Sequence, residues 1–294
     1  MKNLKIITTS DCNNKCIFCI FRKIRKKRNK LTIPSAKLVM GQCKKKGFDR
    51  IFFTGGEPTL YPALEELIKY AHELKYGYIL VGSNGLNFKN IEYCKKLIKY
   101  GKCEFAISIH SLDYMVNNYL VQNNEHFSSA IQGLLNLKKL EASITVRILV
   151  TRMNFKELLD LSLFLNKNKV KKIQFQFYCM AETRDKQERN LVVRVSEIEP
   201  YIEAAMTFCI KNNQEFNLLN FPFCFLKKYN RYNCDNLEFE EVSSFDGEEF
   251  CDCKEQIKNL KVKNKKCEDC PHNYICGGVW KYYIDLFGWD EFCQ

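Results

Sequence analysis

No apolar run of about 18 residues occurs in this chain, and no basic-then-apolar stretch opens it. The first absence argues against a membrane-spanning helix and the second against a secretory leader, so the expected location is the cytoplasm, with no membrane partner. No apolar stripe marks an oligomer interface. The cysteine pattern starts at residue 12, which leaves no separate N-terminal peptide-recognition domain in view. The basic stretch 21–30 has seven cations in the nine positions from Arg22 but lacks the interleaved aromatics of a base-stacking surface. It reads as a solvated face, with an acidic substrate as the alternative, and nucleic acid is not an expected partner. What the chain does have is cysteine, sixteen in 294 residues. A short secreted chain would use that many for disulfides; in a long chain without a leader they point to metal ligation and reduced thiols.

Cys12, Cys16 and Cys19 follow the apolar segment 4–9 in the run Asp-Cys-Asn-Asn-Lys-Cys-Ile-Phe-Cys, spaced Cys-x3-Cys-x2-Cys. Thiolates are the usual ligands of iron–sulfur clusters, and a cubane normally takes four. Three close ligands without a near fourth leave one iron open to a small molecule. The alternatives are a zinc site, which prefers four closed Cys/His ligands, and ordinary buried thiols. Further on, an apolar strand pattern runs into Gly55, Gly56, Glu57 and Pro58. The glycines permit close backbone approach to a ligand, Glu57 supplies an acceptor, and Pro58 fixes the turn.

In their order and separation these two motifs resemble the signature of the radical S-adenosylmethionine superfamily, with Asn13 after the first cysteine and the aromatic Phe18 before the third. The resemblance implies that Cys12, Cys16 and Cys19 carry a 4Fe–4S cluster completed by S-adenosylmethionine. Residues 55–58 would hold the amino group of its methionine moiety. It further implies an external one-electron donor such as flavodoxin or ferredoxin, and reductive cleavage to a 5'-deoxyadenosyl radical that abstracts a substrate hydrogen. The net charge of +12 then depends on cofactor loading, since bound thiolates and iron add charges that the formal count omits.

β-branched and aromatic runs at 4–9, 50–54, 78–81, 104–109, 143–150 and 172–178 alternate with helical spacing at 35–46, 63–74, 91–100, 127–140, 155–166 and 195–211. Strict alternation predicts an α/β fold with a parallel sheet and helices outside. Six units fit a partial (β/α)6 TIM-type barrel, short of the eight that close one, and the resemblance implies the same architecture. Ligand groups collect at the C-terminal ends of such strands, where Asn84, Ser108, His110, Arg147 and Asn154 fall. The resemblance makes Asn84, Ser108 and Arg147 candidates for the ribose and carboxylate of the cofactor. A plain turn at Asn84-Gly85 and locally satisfied polar groups at Ser108 and His110 are the alternatives. Arg147, flanked by apolar residues, is costly without a partner.

The barrel core is expected over residues 1–212 and a small cysteine-rich domain over 213–294. Eight of the sixteen cysteines fall in the last 71 residues. Cys267, Cys270 and Cys276, spaced Cys-x2-Cys-x5-Cys, resemble the SPASM and twitch extensions that hold auxiliary iron–sulfur clusters. Trp280 stands where a full SPASM domain has a further cysteine, so one auxiliary 4Fe–4S cluster is expected. Cys224, among proline and aromatic neighbours, is the chosen fourth ligand, with Cys234, Cys251, Cys253 and Cys293 as alternatives. A zinc knuckle, completed by another cysteine or by His272, is the competing arrangement. Tyr282, Tyr283, Gly288 and Trp289 read as an aromatic cap, and Cys43, Cys94, Cys103, Cys179 and Cys209 as inert core thiols.

The expected function is radical modification of a peptide or protein. The alternative is oxidation or rearrangement of a small molecule or nucleotide in cofactor or natural-product biosynthesis. A non-catalytic electron-transfer or zinc-stabilised binding protein is the option from a different class, and it leaves residues 55–58 unexplained.

Overall fold

The alternating pattern becomes alternating structure. The structure, a computed structural model, describes residues 2–21, 31–178, 186–235, 242–253 and 258–292; the basic run 22–30, Cys179 and Cys293 lie outside them. In chain order the main elements are β1 (Lys2–Thr9), α1 (Ile33–Lys45), β2 (Phe48–Gly55), α2 (Leu64–Glu73), β3 (Tyr78–Ser83), α3 (Ile91–Ile98), β4 (Glu104–Ser108), α4 (Tyr114–Val121), α5 (His126–Lys139) and β5 (Ser143–Val150). They continue as α6 (Leu158–Lys167), β6 (Lys172–Phe177), α7 (Val195–Lys211), β7 (Glu215–Leu219), β8 (Val242–Phe245), β9 (Phe250–Asp252), β10 (Lys261–Val262), β11 (Val279–Trp280) and α8 (Lys281–Phe287). All six strand–helix units read from the sequence are present. The extra helix α4 and the strands from β7 onward were not anticipated.

Local chemistry accounts for the elements. Helix α1 starts at a reciprocal cap, in which the Ser35 amide donates to Thr32 Oγ1 at 3.2 Å and the Thr32 amide to Ser35 Oγ at 3.1 Å. Asn90 caps α3 by accepting from the amides of Glu92 and Tyr93. In α2 the buried residues Leu64, Leu67, Ile68 and Ala71 recur at helical spacing, which turns one apolar stripe inward.

The chain divides into two compact units: Met1–Ile109 with Asn117–Val146 and Glu240–Lys254, and His110–Val116 with Arg147–Phe239 and Glu255–Gln294. In the first unit β1, β2, β3 and β4 pair in parallel in that order. Leu4 lies against Ile51, Ile6 against Phe53, and Val81 against Phe105. All six of these side chains are fully buried, which places the core under the sheet. β8 adds in parallel along the other edge of β1, and β9 pairs antiparallel with β8. In the second unit β6 pairs in parallel with β7, and β10 and β11 form a short antiparallel pair. Among the described residues no helix is long and apolar enough to cross a membrane.

Candidate functional site: a pinned cysteine loop

β1 ends at Thr9, and the chain turns into the loop carrying Cys12, Cys16 and Cys19. The end of β2 holds the start of this loop: the Gly56 amide donates to Thr9 O and the Glu57 amide to Asp11 O, both at 2.7 Å. These contacts explain both glycines. A Cβ on Gly55, whose φ is +129°, would lie 2.5 Å from Thr9 O, and one on Gly56 would lie 2.1 Å from Asp11 O. The close approach expected toward a ligand is made first of all to the cysteine loop itself. Further along, the amides of Lys15 and Ile17 donate to Val121 O and Leu120 O at 3.1 and 2.9 Å, so the end of α4 holds the middle of the loop. Asn123 Nδ2 adds bonds to Asn13 O at 3.1 Å and Asn14 Oδ1 at 2.8 Å. Ile17 is buried beneath, and all three cysteines stay half-buried.

Glu57 is 1 % exposed and engaged by the protein. Its Oε1 accepts from the Thr59 amide at 3.1 Å, Thr59 Oγ1 at 2.6 Å and Ser83 Oγ at 2.7 Å, and its Oε2 from the Asn84 amide at 2.8 Å. Burial pushes the carboxyl up from its ordinary range, against the pull of these donors. Glu57 thus ties the turn after β2 to the end of β3, where Asn84 sits. Asn84 is no plain turn residue. Its Nδ2 donates to Asn13 Oδ1 at 2.6 Å and lies 3.9 Å from Cys12 Sγ, and its carbonyl accepts from His126 Nε2 at 3.0 Å. His126 has no exposed surface, and Asn117 Nδ2 donates to its Nδ1 at 2.8 Å. A carbonyl can only accept, so the ring proton is on Nε2. Burial lowers the imidazole pKa to about 4, which keeps it neutral.

Of the candidates read from the sequence, the first unit brings Cys12, Gly55, Gly56, Glu57 and Asn84 into one bonded group, with Cys16, Phe18 and Cys19 further along the same loop. Pro58 opens a short 3-10 turn with Glu57 as its cap. Ser108 closes β4 in the same unit and is half-buried. His126, Asn117 and Asn123 were missed. Asn117 and His126 are polar residues on the inward faces of α4 and α5, Asn123 is a polar residue of the turn between those helices, and such polarity becomes a signal only once the partners are known.

Arg147 lies on β5 in the second unit, with its Nε buried and unpartnered among the described residues. His110 and Asn154 are hydrogen-bonded within that unit. His110 Nδ1 accepts the Leu149 amide at 3.2 Å, while Asn154 Nδ2 donates to Leu149 O at 2.8 Å and also to His110 O. In the same unit a cavity of about 960 Å³ is lined by Cys224, Cys270 and His272 together with Phe225 and Pro271. His272 Nε2 accepts from Asn230 Nδ2 at 3.1 Å, since that amide can only donate. Cys234 Sγ donates to Leu218 O at 3.1 Å, and Cys251 lies on β9 in the first unit. The cap aromatics pack: Tyr283 meets Phe177 and Phe292, its hydroxyl accepts the Val195 amide at 2.9 Å, and it donates to Glu291 Oε2. Cys43, Cys94, Cys103 and Cys209 are buried, and burial raises the thiols of Cys94 and Cys209 to about 11 and that of Cys103 to about 12. They are buried thiols of the core.

Among the described residues no three His, Cys, Asp or Glu side chains converge as a bound metal requires. Fit to an iron–sulfur cluster therefore rests on donor type and access. Three half-buried thiols on one pinned loop suit it. So does Asn14 Nδ2, a buried donor within that loop with no partner among the described residues, which sulfur acceptors would satisfy.

A family profile described as the Radical SAM superfamily matches residues 6–165, and the chain belongs to that superfamily. It is a radical S-adenosylmethionine enzyme, and its cofactors are a 4Fe–4S cluster and S-adenosylmethionine. The GTP 3',8-cyclase of Aquifex aeolicus is 28% identical over 214 residues, covering 71% of this chain and 66% of that protein. The probable GTP 3',8-cyclase of Sulfolobus acidocaldarius is 25% identical over 269 residues, covering 91% and 81%. The match thus spans just under two thirds of the first relative's length. Among solved structures, Streptococcus suis SuiB bound to S-adenosylmethionine superposes with a TM-score of 0.73 at 16% identity, covering 99% of this chain and 76% of that one. SuiB bound to its precursor peptide SuiA gives 0.74 at 16%, covering 97% and 72%. These likenesses show the fold, an α/β partial TIM-type barrel.

Proposed function

We propose that this protein cleaves S-adenosylmethionine reductively and uses the radical formed to take a hydrogen from a small-molecule or nucleotide substrate in a cofactor-building reaction. The observation that carries the proposal is the cysteine loop, pinned to the Gly-Gly-Glu-Pro turn on one side and to α4 on the other. The nucleotide class is supported by the two GTP 3',8-cyclases, whose likeness is in sequence and not in fold alone. Modification of a peptide, the expectation formed from the sequence, becomes the second reading. It is favoured by the cavity of the second unit, where five carboxylates, Glu199, Glu203, Asp269, Asp290 and Glu291, face two lysines, Lys228 and Lys266. That balance suits a cationic peptide segment better than a triphosphate.

When bound, the cluster supplies one electron to the sulfonium of S-adenosylmethionine, which yields methionine and a 5'-deoxyadenosyl radical. The residues of the chain bind and orient. Cys12, Cys16 and Cys19 are the proposed ligands. Residues 55–58 and Asn84 form the proposed methionine-binding edge, Phe18 flanks the third ligand, and Ser108 and Arg147 are the residues proposed for the rest of the cofactor. Holding one substrate hydrogen near the radical carbon is the main catalytic task left to the protein. In the second unit Cys224, Cys267, Cys270 and Cys276 are the proposed ligands of one auxiliary 4Fe–4S cluster in a SPASM/twitch-like domain. The observation that Cys224 and Cys270 line one cavity supports it. A cytoplasmic location and an external donor of the flavodoxin or ferredoxin kind complete the proposal.

The test is anaerobic. Reconstituted, reduced protein is incubated with S-adenosylmethionine alone, with GTP or other nucleoside triphosphates, and with cationic peptides, beside a variant with Cys12, Cys16 and Cys19 changed to alanine. Expected is 5'-deoxyadenosine from the wild type only, raised by a nucleotide and accompanied by its loss. Stimulation by peptides alone would select the second reading, and no product under any condition would overturn the proposal.

A further inference from the structure

His126 is fully buried, neutral and outside every motif read from the sequence, yet it makes a direct bond to the group that approaches Cys12. Four protein contacts fix Asn84. Its amide goes to Glu57 Oε2 at 2.8 Å, its Oδ1 takes the Leu86 amide at 3.1 Å, and its Nδ2 reaches Asn13 Oδ1 at 2.6 Å, beside Cys12 Sγ. The fourth contact, to its carbonyl, is the one from His126 Nε2 at 3.0 Å. The ring itself cannot swing, because Asn117 Nδ2 holds Nδ1 at 2.8 Å and both residues have zero exposed area. Helix α5 also comes unusually close behind this turn: a Cβ on Gly133 would lie 2.5 Å from Gly85 O, and one on Gly85 would lie 3.3 Å from Ala130 Cβ. The helix, its first residue and the turn are one tight assembly, with the side-chain amide of Asn84 at its open end.

We infer that His126 is a positioning residue of the cofactor site: by fixing the Asn84 carbonyl it aims the Asn84 amide at the thiolate of Cys12 and sets the strength of that hydrogen bond. The inference rests on the assignment of Cys12 as a cluster ligand. Hydrogen bonds to cluster sulfurs raise the reduction potential by stabilising the added electron. Outer groups that orient ligands commonly account for 10- to 100-fold in metal affinity or activity. A neutral imidazole suits this task, since a protonated ring would also donate at Nδ1, where Asn117 presents a donor.

Two near-isosteric variants separate positioning from mere filling. The amide nitrogen of His126→Gln can replace Nε2 and keep the bond to Asn84 O. His126→Asn replaces Nδ1, keeps the bond to Asn117 and loses the one to Asn84. Both full-length proteins are reconstituted anaerobically and compared with wild type by iron content, midpoint potential, low-temperature electron paramagnetic resonance with and without S-adenosylmethionine, and thermal midpoint. Expected is a more negative potential and about 10-fold faster loss of iron to a chelator in His126→Asn, with wild-type behaviour in His126→Gln. The inference is overturned if His126→Asn holds a cluster of wild-type potential, spectrum and iron retention, or if the two variants change alike in step with their thermal midpoints. Wild type without cluster iron, or with a cluster unaffected by replacing Cys12, would instead overturn the assignment beneath it.

Discussion

His126 also carries a stability signature of its own. Its pKa falls from 6.5 to about 4 on folding because burial disfavours the cation. Between those values the unfolded chain binds a proton that the native state refuses, so stability falls as pH falls through this window. At about 1.4 kcal/mol per pH unit the full loss is about 3 kcal/mol. Urea unfolding of wild type and His126→Gln at pH 7 and pH 4.5 checks this: the acid loss is expected to be smaller in the variant by most of that amount. Glu57 is the counterpart on the other side of Asn84. Replacing it with glutamine sets a donor among four donors, and is expected to destabilise the protein by about 1–3 kcal/mol. The measurement is the shift in urea midpoint at unchanged slope. The sequence showed Glu57 as an acceptor but not what it accepts, because its partners Ser83 and Asn84 are 26 and 27 residues away.

At the scale of elements, periodicity foretold β1 to β6 and their helices, because each buries one face or stripe. It did not foretell β7, which reads as Glu-Phe-Asn-Leu-Leu and becomes a strand by pairing with β6, nor β8, four residues that pair along β1. Two predictions belong here. Gly133→Ala in α5 would gain about 1 kcal/mol of helix propensity at an ordinary position. Here the new methyl meets the carbonyl of Gly85 and Phe88 Cβ at 2.9 Å, and overpacking of about 1–3 kcal/mol wins. Its thermal midpoint is expected to drop, and its reduced cluster spectrum to shift with the turn that carries Asn84. In the second unit Lys261 Nζ pairs with Asp235 Oδ2 at 2.9 Å, both side chains 4% exposed, and Asp235 Oδ1 accepts the Asn220 amide at 2.6 Å. This pair joins β10 to the segment following β7. Asp235→Ala takes the countercharge from a buried ammonium and is expected to cost about 3–5 kcal/mol in denaturant unfolding.

At the scale of the whole molecule the question is how many clusters the chain holds. If Cys224 and Cys270 serve one auxiliary cubane, either alanine variant is expected to lose about four iron atoms relative to wild type. The control Cys94→Ala, which removes a buried thiol bonded to Phe88 O, is expected to lose none. Iron and sulfide analysis of anaerobically reconstituted protein reads the difference. Equal iron in all three proteins would remove the auxiliary site from these residues. The sequence by itself determined the superfamily, the α/β alternation and the place of the cysteine loop, since each is written in residues close along the chain: a cysteine spacing, a glycine pair before an acid, a period of two or of 3.6. Only the tertiary structure decided what holds that loop and what its neighbours do. The glycines face Thr9 and Asp11, Glu57 meets the end of β3, and a histidine from α5 grips Asn84. These are contacts between residues 40 or more positions apart for the glycines and the histidine, and 26 or 27 for Glu57. Hydrogen bonds need atoms within about 3 Å, and such proximity is created by the packing of the elements and not by any local pattern.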